Sequence, residues 1–260
     1  MDINLEGADK LLYFTHQYTH QVPCKNNFLV GTAKLAKKHG VSKMVAVCPV
    51  EHDLAYSEEE TTWVEKRQAA EQEALSVNSK LSVLNTDLVF GPEPSHVVHF
   101  MMQCAMAGKI QQPFLSEKAS FKPVHQDDLV AAITQVGTRG LTGQWAVRGS
   151  QEVTAKQLLN MVEQSCGKQA GQTTASMQLP LLPPFRILEE FFYGIAMDTN
   201  MAEMIGHFEE DQEGPVTGKS VWDEIDAKPT EDLDRYFSYN HVVDGDERLL
   251  FPTFAGYKMN

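Results

Sequence analysis

Short apolar runs alternate with amphipathic stretches up to about residue 168 of the chain. The runs are continuous and rich in branched side chains, which is typical of strands buried on both faces of a parallel sheet. We predict strands at Leu11–Thr15, Lys43–Cys48, Leu81–Thr86 and Gln144–Arg148. Since helices are predicted between them, the pattern predicts an α/β fold built on a doubly wound parallel sheet.

The helices are predicted from the helical spacing of apolar positions and from their end signals. The first helix ends before Gly40, a residue suited to a left-handed cap. The second opens on a capping box, in which Ser57 is followed three residues later by Glu60. Asp127 and Asp128 are interpreted as helix-capping residues rather than as an acid–base pair. The predicted helices are Lys25–His39, 57–76, Ser95–Ala107, Leu129–Gln135 and Thr154–Ser165.

The composition changes after Lys168, which divides the chain into a first domain, residues 1–168, and a C-terminal extension, residues 169–260. The extension contains a proline-rich run, a predicted aromatic helix at Phe185–Ala196 and several acidic clusters. The apolar stripe of that helix is suited to packing on the sheet, on a partner or on a membrane surface, and these alternatives stay open.

The 260 residues carry a formal net charge of −13, with 42% hydrophobic and 22% charged residues. This composition is that of a globular chain, and its acidity argues against nucleic acid as a partner. The apolar runs fall far short of the roughly 20 residues of a membrane-spanning helix, so no transmembrane segment is predicted. The four cysteines lack metal-site spacing and are interpreted as reduced thiols. His16 and His20 have no third ligand near them in the sequence, and no metal site is predicted.

A doubly wound sheet directs attention to a dinucleotide, whose pyrophosphate usually rests on a glycine-rich turn between the first strand and its helix. Neither GxGxxG nor GxxGxxG occurs in the chain. Gly137, Gly140 and Gly143 share part of this spacing, but they follow a predicted helix and are interpreted as a surface turn. The residues alone therefore predict no complete dinucleotide site.

Three segments, Gly40–Cys48, Asn85–Gly91 and Phe121–Ile133, resemble motifs of the extended short-chain dehydrogenases/reductases. The third is the most specific, and the resemblance extends from about Ala8 to Gly167. It implies a partial Rossmann-like sheet, the C-terminal half of that fold, followed by an α-rich and partly irregular extension.

The resemblance also places the catalytic positions of the family on this chain. The family uses a serine together with a tyrosine and a lysine in the spacing YxxxK. By position the serine falls at Cys48 or Pro49, the tyrosine at Trp63 and the lysine at Arg67. An indole N–H does not act as a proton donor near neutral pH. The resemblance therefore implies no catalytic residue and a chain that is not an enzyme.

The same resemblance implies a cofactor site made by the nicotinamide side alone, with Thr15, Arg67, Thr86 and Val89 as its residues. The first three strands of the family fold, which carry the glycine-rich turn, have no counterpart in the chain. The resemblance therefore implies NADPH shared with a separate polypeptide that supplies those strands, and otherwise no cofactor. Without such a partner the strand at Leu11 would present an apolar sheet edge.

The C-terminal part, from Leu179 to Phe192 and again from Phe208 to Phe237, resembles an atypical branch of the family. This branch comprises the NADPH-binding accessory subunits of the alpha subcomplex of mitochondrial respiratory complex I. The resemblance implies a structural role, other complex I subunits as partners, and a peripheral position on the matrix side of the mitochondrial inner membrane. The alternative is an active NAD(P)-dependent short-chain reductase or epimerase with an altered proton donor, Tyr56 or Cys48.

Overall fold

A five-stranded parallel sheet organises the chain in the computed structural model, which describes residues 5–14, 27–49, 63–91, 98, 101, 105, 109–111, 120–172, 174–176 and 216–239. The strands are β1 (Lys10–Phe14), β2 (Lys43–Pro49), β3 (Leu81–Thr86), β4 (Val89–Phe90), β5 (Lys109–Gln111), β6 (Ser120–Phe121), β7 (Val124–His125), β8 (Gly143–Val147), β9 (Val153–Thr154), β10 (Thr174–Ser176) and β11 (Lys219–Ser220). The helices are α1 (Asn27–Lys38), α2 (Trp63–Val77), α3 (Gln126–Arg139), α4 (Ala155–Ser165), α5 (Val221–Ile225) and α6 (Leu233–Tyr239).

The main sheet has the order β1-β2-β3-β8-β11, and every neighbouring pair in it is parallel. Three two-stranded ladders accompany it: β4 with β7 and β5 with β10 are parallel, and β6 with β9 is antiparallel. All residues of β2 and β3 are buried, as their mainly apolar character predicted, and the buried set includes the polar residues Lys43, Ser82, Asn85 and Thr86. The predicted α/β class and the parallel sheet are confirmed.

Helices cover the two faces of the sheet and divide its core. One face packs β2 and β3 against α1 and α2, with Met44, Ala46 and Val83 at its centre. The other packs β2, β3 and β8 against α3 and α5, with Val45, Leu84 and Trp222 among its buried side chains. Because side chains alternate along a strand, neighbouring residues of β2 belong to different halves of the core.

The helix signals are confirmed at several ends and corrected at one. Gly40 has φ 69°, the left-handed conformation that was predicted beyond α1. A capping box precedes α4, where the Thr154 side chain accepts from the Gln157 N–H and the Gln157 side chain accepts from Thr154. Helix α3 is longer than Leu129–Gln135, and its N-cap is His125 rather than Asp127 or Asp128.

Residues 216–239, from the predicted extension, join the main sheet. Strand β11 pairs with β8 in the register Lys219↔Trp145 and Ser220↔Ala146. This approach requires Gly218, because its φ is 114° and a Cβ there would lie 2.9 Å from backbone atoms of Trp145. Helix α6 then packs against α4. The domain division at residue 168 stays a prediction.

Several sequence predictions lie outside the described residues: Ser57 and its capping box, Tyr56, Thr15, His16, His20, Cys24, Cys104 and the helix Phe185–Ala196. Within the described part, Cys48 and Cys166 form no disulfide. No helix among the described residues has both the length and the apolar character needed to span a membrane.

Candidate active site at the carboxyl ends of the strands

The carboxyl ends of the central strands meet at one edge of the sheet, where open α/β sheets bind their ligands. The last residues of β2, β3 and β8 are register neighbours, since Pro49 pairs with Thr86 and Thr86 with Val147. The chain then turns at Asp87, whose N–H donates to the Val147 carbonyl over 3.2 Å. We call this edge, from Thr86 to Gly91 together with His125 and Gln126, the carboxyl-edge site.

Thr86 ends the central strand with an unsatisfied polar group. Its side chain is fully buried, and its hydroxyl has no hydrogen-bond partner in the described part of the chain. A buried hydroxyl without a partner costs roughly 1–3 kcal/mol of desolvation, so native proteins rarely keep one without a use for it. The hydroxyl is suited to pairing with a ligand that enters at this edge.

Asp87 holds the following turn in place. Its Oδ1 accepts from the Leu88 N–H over 2.7 Å, and its Oδ2 accepts from the Lys122 N–H over 2.9 Å. Burial raises the pKa of this carboxyl, while the two backbone donors act in the opposite direction. Asp87 therefore ties the turn after β3 to the segment between β6 and β7, and both its oxygens are used in doing so.

His125 reaches the edge from the β4–β7 ladder, in which it is the register partner of Phe90. Its Nδ1 accepts from the Asp127 N–H over 3.2 Å, so the neutral imidazole carries its proton on Nε2. The rings of Phe90 and Tyr236 stand 5.1 Å and 5.4 Å from the imidazole, and burial raises the pKa of the Tyr236 phenol. The aromatic contacts fix the imidazole while leaving Nε2 to be directed at a ligand.

Gly91 makes room beside this imidazole. Its φ is 146°, and a Cβ placed on it would lie 3.0 Å from Gln126 Cβ and 3.5 Å from His125 Nε2. Gln126 Oε1 lies 3.2 Å from the same point, is buried, and has no hydrogen-bond partner among the described residues. A donor and an acceptor therefore border the space that a side chain at position 91 would occupy.

Arg67 lies elsewhere, between α2 and the sheet. It is 3% exposed. Its Nε donates to Glu71 Oε1 over 2.8 Å, and its Nη2 donates to Asn85 Oδ1 over 2.7 Å and to the Cys48 carbonyl over 3.4 Å. These contacts engage the guanidinium within the protein, so its geometry does not fit the ribose-holding role that the resemblance assigns to position 67.

The hydrogen bonds around Arg67 extend into a cluster that joins four parts of the chain. Asn85 Nδ2 donates to Glu71 Oε2 over 3.0 Å and to Thr217 Oγ1 over 3.0 Å. Gln144 Nε2 donates to the same two oxygens, over 2.6 Å and 2.8 Å. We call Arg67, Glu71, Asn85, Gln144 and Thr217 the α2 polar cluster; it links α2, β3, β8 and the residues before β11.

The structure thus separates the predicted cofactor residues. Thr86 lies at the carboxyl-edge site with Val89 three residues on, Arg67 lies in the α2 polar cluster, and Thr15 is outside the described residues. Cys48, the alternative proton donor, is 1% exposed and faces the core between the sheet and α1. Of the predicted residues that the structure describes, Thr86 has an unpaired polar group at this edge, whereas the hydrogen bonds of Arg67 lie within the protein.

Sequence reasoning did not single out His125 and Gln126 as functional. Both belong to the motif Phe121–Ile133, in which the sequence analysis considered Asp127 and Asp128, as helix-capping residues, and not His125 or Gln126. The signal that points to them is their position, because they stand where a short strand passes directly into a long helix. Asp127 is exposed, whereas Asp128 is buried and accepts hydrogen bonds from Thr230 and Glu231.

Comparison with solved structures finds the same fold in several enzymes. The dTDP-4-dehydrorhamnose reductase of Bacillus anthracis, in complex with NADP, is 12% identical with a TM-score of 0.56, over 89% of this chain and 79% of that one. The dTDP-glucose 4,6-dehydratase of the same organism, in complex with NAD, is 14% identical with a TM-score of 0.51, over 84% of this chain and 75% of that one. The ADP-L-glycero-D-manno-heptose-6-epimerase of Helicobacter pylori is 10% identical with a TM-score of 0.51, over 90% of this chain and 71% of that one. No family model matches the chain, and no curated protein matches it.

These structures contradict the prediction that the chain is not an enzyme, because all three are enzymes. The prediction relied on Trp63 and Arg67 in place of the family's tyrosine and lysine. That replacement removes one proton donor but leaves open a donor from another element at the same edge. The three names do not refer to a respiratory complex, so the narrower resemblance to complex I subunits stays a prediction. In its fold, the chain is similar to the extended short-chain dehydrogenases/reductases.

Proposed function

We propose that the chain is an NAD(P)-dependent reductase or epimerase that acts on a hydroxyl or carbonyl carbon, with a proton donor other than the family's tyrosine. The observation that carries this proposal is the buried, unpartnered Thr86 hydroxyl at the carboxyl end of the central strand. The fold neighbours act on nucleotide-linked sugars by name, which favours a sugar or sugar nucleotide as the substrate class.

The proposed roles follow from the atoms that the edge presents. A bound nicotinamide would supply or accept hydride, and the Thr86 hydroxyl would pair with a polar group at that end of the cofactor. His125 would act as the imidazolium, with its Nδ1–H turned from the Asp127 N–H to the Asp127 carboxylate, 3.8 Å away. Nε2 would then give its proton to the substrate oxygen, leaving a neutral imidazole, and would take the proton back in the reverse direction. Gln126 Oε1 would accept from a substrate hydroxyl at Gly91. Buried Cys48 is no longer a candidate donor, and Tyr56 remains one from sequence alone.

The association with complex I and the matrix-side location are predictions of the resemblance that no described contact tests. They are compatible with an enzyme as well as with a structural subunit. Native-gel migration of the protein from detergent-solubilised mitochondria, with mass spectrometry of the band, would test them directly.

Cofactor binding tests the proposed function first. NADPH is titrated into the protein purified with its native partners, and binding is followed by the fluorescence of the reduced nicotinamide. We expect Thr86→Val to weaken binding about tenfold, the effect of losing one buried hydrogen bond. Thr134→Val is the matched control, because the Thr134 hydroxyl donates to the Val130 carbonyl on the exposed side of α3. Equal affinities for the wild type and Thr86→Val would refute the role of Thr86.

Turnover of simple carbonyl compounds with NADPH then identifies the proton donor. His125→Gln is expected to reduce kcat by about 10²-fold or more and to flatten the pH profile of kcat near neutrality. Tyr56→Phe is the competing variant. If Tyr56→Phe abolishes turnover while His125→Gln leaves the pH profile intact, the donor assignment moves to Tyr56. Absence of binding of both NADPH and NADH by the native protein would reject the proposed function as a whole.

A further inference from the structure

Three aromatic rings form a closed triangle beside the carboxyl-edge site. The ring centres of Phe90 and His125 are 5.1 Å apart, those of Phe90 and Tyr236 are 5.3 Å apart, and those of His125 and Tyr236 are 5.4 Å apart. Aromatic pairs attract one another at separations of roughly 4.5–7 Å. Phe90 and His125 are register partners in the β4–β7 ladder, whereas Tyr236 belongs to α6. The imidazole therefore contacts its own ladder and also a helix that is distant in sequence.

The imidazole of His125 has to keep one of two orientations, because its two nitrogens face different groups. Nδ1 faces Asp127, whose N–H is 3.2 Å away and whose carboxylate is 3.8 Å away. Nε2 lies 3.5 Å from the position that a Cβ on Gly91 would take. Half a turn of the ring about its Cβ–Cγ bond would exchange each nitrogen with a carbon, so C–H groups would replace both nitrogens. The terminal torsion of histidine is intrinsically broad and two-fold, so the surroundings have to select the orientation.

The hydrogen bond at Nδ1 selects this orientation only while the imidazole is neutral. Nδ1 accepts from the Asp127 N–H, and it loses this ability when it takes up a proton. The Asp127 carboxylate, which would then attract the ring, is 86% exposed, and water weakens such a contact. The ring contacts with Phe90 and Tyr236 do not require a lone pair on Nδ1, so they persist in both protonation states. They therefore hold the orientation throughout a proton transfer.

Tyr236 is placed by contacts that do not involve the imidazole. Asp128 accepts from the N–H and the hydroxyl of Thr230, over 3.1 Å and 2.7 Å, just before α6. Gln151 accepts from the Leu233 N–H over 3.2 Å at the start of the helix. Leu233 is fully buried, and α6 packs against α4. Since α6 is anchored independently, the Tyr236 ring is a fixed surface against which the imidazole rests.

We propose that Tyr236 is a positioning residue, whose ring holds the His125 imidazole with Nε2 towards Gly91 during proton transfer. This role rests on the proposed function, because Tyr236 acts through His125 and not on the substrate. Without the ring contact, the imidazole populates both orientations and Nε2 faces the site only part of the time. Since the ring provides the contact, Tyr236→Phe should preserve the orientation, whereas Tyr236→Leu should not.

Nuclear magnetic resonance of the full chain, with nitrogen-15 in its histidines, tests the orientation without a substrate. The His125 signals are assigned by their loss in His125→Gln and are recorded at a pH at which the imidazole is neutral. We expect the wild type and Tyr236→Phe to show a single tautomer with the proton on Nε2. Tyr236→Leu should show a mixture of tautomers, because a turned ring no longer accepts at Nδ1. Tyr13→Leu is the matched control: it removes another partly buried tyrosine ring, from the core on the α1 and α2 side, and should leave the signals unchanged.

Turnover of simple carbonyl compounds with NADPH measures the consequence of the orientation. Tyr236→Leu should lower kcat about tenfold and change KM by less than about twofold, because a misplaced donor affects the transition state more than substrate binding. Tyr236→Phe should keep kcat within about twofold of the wild type. If Tyr236→Leu does not fold, Tyr236→Met takes its place, since its flexible side chain fills more of the same volume without a ring.

Three results would overturn the proposal. If Tyr236→Phe loses as much activity as Tyr236→Leu, the phenol itself takes part in the reaction and the ring contact is not its role. A single His125 tautomer in Tyr236→Leu would show that the imidazole keeps its orientation without the ring. An equal loss of kcat in Tyr13→Leu would show that the loss comes from general destabilisation. Absence of turnover in the wild type rejects the proposed function, but a tautomer mixture in Tyr236→Leu and not in Tyr13→Leu would still establish the orienting contact.

Discussion

The α2 polar cluster and the carboxyl-edge site are both buried and both polar, but they differ in how fully their groups are paired. In the cluster, the Glu71 carboxylate faces the Arg67 guanidinium and also accepts from two side-chain amides. At the carboxyl-edge site, the Thr86 hydroxyl and Gln126 Oε1 have no partner in the described part of the chain. In the first arrangement the carboxylate and the two amides are paired within the protein, whereas in the second a ligand could pair the hydroxyl and the amide oxygen.

This difference gives a criterion for separating structural polar residues from functional ones. Burial alone does not separate them, since Arg67 and Thr86 are both almost inaccessible. Unpaired polar groups cost stability, so a fold keeps them where something else repays that cost. The predictions below test whether paired groups govern folding and unpaired groups govern binding.

The largest effect is expected at Arg67. Arg67→Met should lower the free energy of unfolding by about 3–5 kcal/mol, because it leaves the Glu71 carboxylate, 1% exposed, without its countercharge. The double variant Arg67→Met with Glu71→Leu should recover part of this loss. Urea unfolding followed by circular dichroism measures all three proteins.

Lys34→Met is the matched control for that cycle. Lys34 pairs with Glu73 over 3.4 Å, but both side chains are more than half exposed. Exposed pairs contribute at most about 1 kcal/mol. If Arg67→Met costs no more than Lys34→Met, the α2 polar cluster is not a structural unit and the comparison fails.

A smaller loss in the free energy of unfolding is expected on substitution of Asp128, which lies near the carboxyl edge but has hydrogen-bond partners for its carboxylate. Its carboxylate accepts from the Thr230 N–H, the Thr230 hydroxyl and the Glu231 N–H, over 2.7–3.2 Å. Asp128→Ala should cost about 2 kcal/mol, because the partly buried donors of Thr230 and Glu231 lose a charged acceptor. Asp127→Ala, at an 86% exposed side chain, should change stability little. Equal losses in the two variants would mean that pairing does not mark the structural residues.

Patterning was sufficient to predict the strands and the class of the fold. β2 and β3 were recognisable because strands buried on both faces form short, mainly apolar runs, although β3 also contains Ser82, Asn85 and Thr86. The end of α1 was equally recognisable, because a left-handed cap favours glycine at position 40. Hydrophobic periodicity and local helix-end signals therefore suffice to predict most of the strands and helices of the fold.

The site was harder to predict from the sequence, because the residues that form it are brought together by contacts between distant parts of the chain. Nothing local distinguishes an arginine that binds a cofactor from one that pairs with Glu71 and with Asn85. Likewise, Asp128 is a structural acceptor only because Thr230 returns to it about a hundred residues later. The missed residue His125 lies within a recognised motif, but its ring contact with Tyr236 is visible only in the folded chain.

A gain in stability is expected when the unpaired hydroxyl of Thr86 is replaced. Without cofactor, Thr86→Val should raise the free energy of unfolding by about 1 kcal/mol, because an apolar side chain of similar shape replaces a hydroxyl buried without a partner. Thermal unfolding should show this as a higher Tm, while the NADPH affinity of the same variant falls. A variant that loses stability would show that the hydroxyl is satisfied within the protein, and the contrast with the α2 polar cluster would disappear.

The smallest effect concerns a second buried cation. Lys43 is 5% exposed and donates to the Ser82 hydroxyl over 2.9 Å, not to a carboxylate, and burial lowers its pKa to about 8 from 10.5. Below pH 8 the folded state bears the cost of the charged amine, and this cost is relieved as the pH rises from 8 towards 10.5. Stability should therefore rise between pH 8 and 9, by less than about 1 kcal/mol, because the unfolded state binds more protons than the folded state there.

Lys43→Met isolates this contribution. Burial raises the pKa values of Cys166 and Tyr236, which lowers stability at still higher pH, but both groups are present in the variant and cancel in the difference. The stability difference between the wild type and Lys43→Met should therefore depend on pH between 8 and 9, whereas that for the exposed Lys34→Met should not. If both differences are flat, other hydrogen-bond acceptors keep Lys43 charged. The distinction between a buried cation with a carboxylate partner and one without would then have no thermodynamic consequence in this protein.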